Sequence, residues 1–325
     1  MRKKYRNNLK FGVSTALLSG IFWGMDTVLT GVILAMSPFV STAQAIAIAP
    51  IVGAFLHDFS SAFWMTILSI IRKDFMHTAR LLWTRSGRFV ILAALFGGPI
   101  GMMAYMFAIT NIGASYTASI SAMYPAAGAF FSYVFLHIKL TKKGWFGLFL
   151  SILSIIILGY TPGDVQVKNF ALGFVAALIT VVAWSLESVI CAYGMKDDVT
   201  PVEALWIRQM TSAFIYVIIV VLFIKGAPLS VEIITSKLMI FIAITAFIGT
   251  ASYVCYYSAI DSIGPVKATG LNITYSIWAM IISIIALGAE FNLKLVFCSV
   301  LIIIGSVLVS KDQADDMRSG LEKAV

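Results

Sequence analysis

The chain has 325 residues, of which 60% are apolar and only 12% charged, with a net charge of +8 and a mean hydropathy of +0.95. A soluble domain carries roughly 25% charged residues, so no water-soluble fold hides this much apolar surface, and a polytopic membrane protein with a lipid bilayer as solvent is expected. The positive charge does not point to nucleic acid, because the basic residues fall in short segments between apolar spans, the topology signal of membrane helices.

Ten spans are predicted in chain order, at residues 9–36, 45–71, 88–110, 113–137, 144–160, 170–194, 201–224, 238–260, 264–288 and 294–310. The basic start Arg2-Lys3-Lys4-Tyr5-Arg6 resembles a signal peptide, but the spans that follow favour a retained first helix. The three cysteines (Cys191, Cys255, Cys298) all lie in apolar spans and imply neither a disulfide framework nor a metal site. No nucleophile–base arrangement or nucleotide loop is visible, so neither an enzyme nor a cofactor is expected.

The connections alternate in charge. One side receives 17 basic residues: Arg2, Lys3, Lys4, Arg6, Lys10, Arg72, Lys73, Arg80, Arg85, Arg88, Lys139, Lys142, Lys143, Lys196, Lys311, Arg318 and Lys323. The other receives 4, namely Lys168, Lys225, Lys237 and Lys294, with Arg208 and Lys267 left unassigned. The positive-inside rule then puts both termini in the cytoplasm, and an even number of spans fits.

An internal repeat runs through the chain. Ala108-Ile109-Thr110-Asn111-Ile112-Gly113 matches Ala259-Ile260-Asp261-Ser262-Ile263-Gly264 at an offset of 151, which also pairs Tyr105 with Tyr256 and Tyr124 with Tyr275. Trp23-Gly24-Met25-Asp26 matches Trp184-Ser185-Leu186-Glu187 at an offset of 161, so the first half has the longer connection between its first two helices. Five helices is an odd number, so the second copy enters the membrane from the opposite side. Inverted repeats mark transporters with a substrate site near the midplane. The expected fold is therefore an all-α membrane protein of ten transmembrane helices in two inverted five-helix repeats, residues 1–160 and 161–310, with a cytoplasmic tail at 311–325.

Glu187 lies within the apolar run 170–194. A carboxylate near the middle of such a helix costs roughly 2.5–3.5 kcal/mol or more to insert, so it is functional by default; the plainer alternative is a buried acid paired with a polar neighbour on another helix. Trp184 is three residues from Glu187, as Trp23 is from Asp26, which puts each indole and acid on one helix face. An acid balances a cation, and an aromatic face attracts one by roughly 0.5–2 kcal/mol. Tyr105, Tyr124, Tyr253, Tyr256, Tyr257, Tyr275 and Trp278 are available to complete an aromatic box, although membrane tyrosines and tryptophans commonly serve as interfacial belts or packing. Trp206, close to a helix start, reads as an interface anchor. His57-Asp58 is a buried polar pair that either relays protons or pins its helix. Arg208-Gln209 binds an anion, neutralises a nearby acid or snorkels. Gly97-Gly98-Pro99-Ile100-Gly101, with Gly249 similarly placed, permits bending and close helix approach.

The ten-helix, two-half pattern, with FWG early and AIxxIG in each half, resembles the drug/metabolite transporter superfamily, EamA type. Ser19–Gly24 (SGIFWG), His57–Phe59 (HDF), Gly98–Met102 (GPIGM), Glu203–Gln209 (EALWIRQ) and Lys267–Tyr275 (KATGLNITY) are similar to the LicB-type bacterial choline permeases in particular. That resemblance implies import of choline or a related small organic cation through an aromatic-lined cavity in the bacterial inner membrane. It carries Glu187, Trp23, Tyr124, Tyr256, Tyr275 and Trp278 over as substrate residues; Trp184, Asp26 and Tyr105 join them from the spacing above. Coupling to protons would involve Glu187, His57 and Asp58. Asp26, Met103, Tyr105 and the longer first connection depart from the subgroup pattern and admit another substrate, such as a more highly charged cation. An exporter of amino acids, purine-like metabolites or drugs, a lipid-modifying enzyme and a passive channel are the alternatives.

Overall fold

In hydrocarbon every backbone N–H and C=O needs an internal partner, which leaves helices as the economical solution for a chain this apolar. The computed structural model describes residues 9–137, 139–160, 168–194, 199–263 and 265–322, and contains no strand among them. The basic residues at 1–8, Lys196 and Lys323, and Gly264 of the repeat, lie outside the described residues.

The helices in order are α1 (Leu9–Leu34), α2 (Ala43–Ile71), α3 (Phe75–Leu81), α4 (Arg85–Leu95), α5 (Met103–Ser121), α6 (Tyr124–Leu136) and α7 (Lys142–Tyr160). They continue as α8 (Phe170–Gly194), α9 (Pro201–Ile218), α10 (Ala227–Ile234), α11 (Leu238–Ile263), α12 (Pro265–Asn272), α13 (Tyr275–Leu287) and α14 (Leu293–Glu322). A π-helical segment, Phe96–Met102, joins α4 to α5, and a second, Ile219–Phe223, extends α9. Among the described residues eight segments are long and apolar enough to cross a bilayer, three of them, Arg85–Ser121, Pro201–Phe223 and Ala268–Leu287, running through joins between helices.

Local chemistry sets several ends. Thr200 and Glu203 form a reciprocal capping box behind Pro201, which fixes the start of α9. Thr42 and Thr84 cap α2 and α4 through their side-chain oxygens. Gly113 adopts φ 78°, a conformation only glycine takes freely, and separates the third expected span from the fourth within α5.

Four features differ from the sequence expectation. The fourth span is interrupted at Ala122–Met123 and the ninth at Ile273–Thr274, so that Tyr124 and Tyr275 each open a half-helix. The short helices α3 and α10 occupy connections read as loops; α3 buries Leu81 and sets Phe75 edge-on to Trp206, and α10 buries Leu229 and Ile233. Seven or eight residues are too few for a periodicity to stand out. Trp206 is consequently buried, its indole N–H donating to Thr66 Oγ1 at 3.0 Å, rather than anchored at an interface. Finally α14 continues through 311–322, expected as a tail, without interruption.

The central helices exchange partners across the chain. α1 packs on α11 and α13, and α8 packs on α5 and α6, while α2 lies on α9 and α7 on α14. Glycines permit the closest of these approaches. A Cβ at Gly12 would meet Ser262 and Ile263, and one at Gly173 would meet Asn111 and Ile112.

Candidate functional site

A cavity of about 220 Å³ opens among α1, α6, α8, α9, α11 and α13. Its aromatic wall consists of Trp23, Tyr124, Trp184, Tyr253, Tyr256 and Tyr275, with Tyr257 towards one end. The rings brace one another. Trp23 lies 5.8 Å from Trp184 and 5.2 Å from Tyr253, both edge-on, and Tyr124 meets Trp184 edge-on at 6.0 Å. Hydrogen bonds fix their orientation: Trp184 Nε1 donates to the Gly97 carbonyl at 3.2 Å, and the Tyr275 hydroxyl pairs with Ser121 Oγ at 2.8 Å.

Glu187 borders this cavity with its side chain 18% exposed, and Arg208 Nε donates to its Oε1 at 2.6 Å. The guanidinium also sits over the Tyr253 ring, 5.6 Å from the centroid, and donates from Nη1 to Gln209 Oε1 at 3.1 Å. Of the roles open to Arg208 from sequence, neutralising a nearby acid is the one its position fits. The charged pair has no net charge, is anchored on two helices and leaves Glu187 the more exposed partner.

The π-helical segment explains how these groups come so close. A Cβ at Gly97 would overlap the Glu187 carboxyl, one at Gly98 would overlap Ser212, and one at Gly101 would press on the Trp184 indole. Its carbonyls accept from Trp184, from the Tyr216 hydroxyl (to Gly98, 3.2 Å) and from Thr180 Oγ1 (to Gly101, 3.2 Å). Bare backbone is needed there both for space and for acceptors that a side chain would cover.

A second polar cluster lies next to the first. His57 Nε2 is 3.0 Å from Asp26 Oδ1, and its Nδ1 is 3.3 Å from Asp58 Oδ1. Ser212 Oγ donates to Asp58 Oδ2, and Gln209 Nε2 donates to Ser61 Oγ at 2.9 Å. Asp26 is fully buried, and its Oδ2 has no hydrogen-bond partner. The structure thus places Trp23, Tyr124, Trp184, Glu187, Tyr256 and Tyr275 on the cavity and leaves Asp26, Tyr105 and Trp278 off it. Tyr105 stands behind the wall, 5.0 Å from Trp184, with its hydroxyl 2.7 Å from Thr27 Oγ1. Trp278 packs beside Gly24 of α1. The cavity therefore receives one carboxylate, not two.

Ser188, Cys191, Ser252 and Asn272 also line the cavity, and sequence reasoning did not single them out. Ser188 and Cys191 follow Trp184 and Glu187 on the same helical face, a spacing that was available as a signal. Arg208 had a signal too. His57-Asp58 and Arg208-Gln209 are related by the same offset of 151 as Tyr105 and Tyr256, and so are Pro50 and Pro201, and Ser61 and Ser212. Each half therefore joins an acid on its first helix to a base on its second.

Comparison with known proteins gives a consistent picture. A model of the EamA-like transporter family matches twice, over residues 10–160 and 171–311. The protein LicB of Haemophilus influenzae is 32% identical over 270 residues, covering 83% of this chain and 87% of LicB. An uncharacterised transporter of Clostridium kluyveri is 23% identical over 318 residues, covering 95% and 97%. A crystallised protein only 15% identical shares the fold, with a TM-score of 0.58 over 91% of this chain and 95% of its own.

Proposed function

The chain belongs to the EamA-like transporter family, and from that premise we propose that it is a secondary active transporter that imports choline or a related small organic cation. The observation that carries this reading is the cavity wall of tryptophan and tyrosine faces with Glu187 as its acid. A quaternary ammonium has no hydrogen-bond donor, so ring faces are what recognises it. Glu187 supplies the counter-charge, for which the substrate competes with Arg208. Substrate entry loosens the 2.6 Å bond between them, and the freed carboxylate is the group we assign to proton coupling, with His57 and Asp58 behind it.

The chain crosses the bacterial cytoplasmic membrane ten times in this reading, as inverted halves 1–160 and 161–310 with both termini in the cytoplasm. Supporting it are contacts that survive exchange of the halves. Gly12 against Ser262 and Ile263 answers to Gly173 against Asn111 and Ile112, and the Gln209–Ser61 bond answers to Ser212–Asp58. Thr180 bonding to the Gly101 carbonyl answers to Ser252 bonding to the Ser19 carbonyl. Two half-helices starting at Tyr124 and Tyr275 fit the broken helices of midplane transporter sites.

Arg208 favours one alternative, a zwitterion such as an amino acid, moved outward by the same cavity. Its ammonium would meet Glu187 and the rings, and its carboxylate would meet Arg208.

A thermal-shift screen of the purified protein with choline, glycine betaine, amino acids and nucleosides separates the readings, since any ligand of the folded form stabilises it by mass action. Stabilisation by choline, lost in the Glu187→Gln variant, supports the cation. Stabilisation by amino acids alone, lost in the Arg208→Gln variant, supports the zwitterion. Proton-driven uptake that is unaffected by Glu187→Gln would remove Glu187 from the coupling step.

A further inference from the structure

The structure has a second, much smaller cavity of about 10 Å³, room for about one water. Thr30, Gly53, His57 and Met106 are among its lining residues. Their partners under the repeat offsets are Cys191, Ala204, Arg208 and Tyr257, and all four of those line the large cavity. The small space is thus the large cavity's own counterpart, squeezed shut. A Cβ at Gly53 would strike Leu34, where Ala204 in the equivalent place carries one freely at the cavity wall.

We propose that this is the second mouth of the transport path, closed in this structure, and that the Asp26–His57 pair is the latch that holds it. The proposal rests on the alternating-access reading above. In the opposite-facing state Asp26 and His57 stand at an open mouth, as Glu187 and Arg208 do here, and substrate passes them on that side. Glu187 and Arg208 become the closed pair.

Three observations support the assignment. The latch is a like-for-like counterpart: an acid on α1 and a base on α2, against an acid on α8 and a base on α9. It joins two of the four helices that line the small space, α1 and α2. Asp26 Oδ2 is also buried with no protein partner, while its Oδ1 bonds His57. An unpaired buried carboxylate oxygen is unfavourable, and water entering an opened mouth relieves it. The pair is not isolated, since Asp58 faces His57 from the same helix, Ser212 holds Asp58 from α9, and Gly249 of α11 brings bare backbone against Asp26. Opening one mouth is therefore connected through α2 and α9 to the Arg208 end.

Thiol labelling tests this without any substrate. In a background with the three native cysteines replaced, Thr30→Cys reports the closed mouth and Ser188→Cys the open cavity. With the opposite-facing form populated at about 10% or less, the Thr30→Cys protein should react with a water-soluble maleimide at least about tenfold more slowly than the Ser188→Cys protein. Adding Asp26→Asn should speed the first severalfold and slow the second. His57→Gln is the second latch variant, in case Asp26→Asn does not yield a folded protein by gel filtration. An unchanged Thr30→Cys rate in folded latch variants overturns the proposal. A rise at both positions overturns it as well, since that describes a loosened bundle. Because no ligand is present, a swap in labelling without choline binding would leave the latch standing and sink only the choline reading. Choline binding without a swap would do the reverse.

Discussion

Glu187–Arg208 and Asp26–His57 are built from the same parts. Each acid stands three residues after a tryptophan, and each base lies on the next long helix, 2.6 Å away in one case and 3.0 Å in the other. The first borders a cavity of about 220 Å³ and the second a space of about 10 Å³. Residue type therefore does not decide which acid meets a ligand; access does. In the alternating-access reading proposed above, access is a property of the conformational state. An expensive intramembrane carboxylate can serve in one state as a binding group and in the other as a closure.

The comparison breaks most readily at the acids. Glu187→Ala leaves Arg208 buried without its partner, a change that costs about 3–5 kcal/mol, and should abolish choline stabilisation in the thermal-shift assay. Asp26→Ala should destabilise the fold yet leave choline affinity in this conformation within about twofold, a difference below ~0.5 kcal/mol. Equal loss of affinity in both variants would mean that the cavity does not distinguish them.

The glycines come next. Gly97→Ala puts a methyl onto the Glu187 carboxyl, and overpacking of this kind costs about 1–3 kcal/mol. The change facing the other acid, Gly249→Ala, meets Asp26 Oδ1 at 2.8 Å. We expect the first to lower both thermal stability and choline affinity, and the second to lower stability alone.

The aromatic wall should give smaller effects. Trp184→Ala and Tyr275→Ala each remove a cation–π contact of roughly 0.5–2 kcal/mol, readable by isothermal titration with choline, whereas Trp278→Ala, off the cavity, should leave affinity unchanged. The smallest effect is a control. Thr200→Ala removes the cap of α9, the helix that carries Arg208, and should cost about 1 kcal/mol of stability with no change in affinity. A fall in affinity there would mean that destabilisation alone reproduces the site phenotypes.

The span 170–194 was legible to the residue, because an uninterrupted apolar run bounded by polar segments has one reading in a bilayer. The breaks before Tyr124 and Tyr275 were not: their local signals, Pro125 in the first turn of α6 and the hydroxyls of Thr274 and Ser276 bonding back to the Leu271 and Ile273 carbonyls, are slight against long apolar runs. Trp184 and Glu187 were legible as neighbours because helical spacing alone places that indole beside its acid, whereas the approach of Trp23 to Trp184 depends on how the helices pack. The fate of Asp26 was not. Its sequence context is that of Glu187, and only the packing of α1 against α11 at Gly249 seals it. Arg208 illustrates the intermediate case: its charge was visible and three roles were open, but the choice among them required knowing that α9 brings it to Glu187 of α8 at the cavity.

The seven residues Phe96–Met102 wind with one residue more per turn of hydrogen bonding than the α-helices on either side. Adding or dropping one residue is the direct way into or out of this shape. That winding leaves the carbonyls of Gly97, Gly98 and Gly101 free to accept from Trp184, Tyr216 and Thr180, so removing one residue here would retie the ladder between α4 and α5 and withdraw acceptors from two neighbouring helices at once.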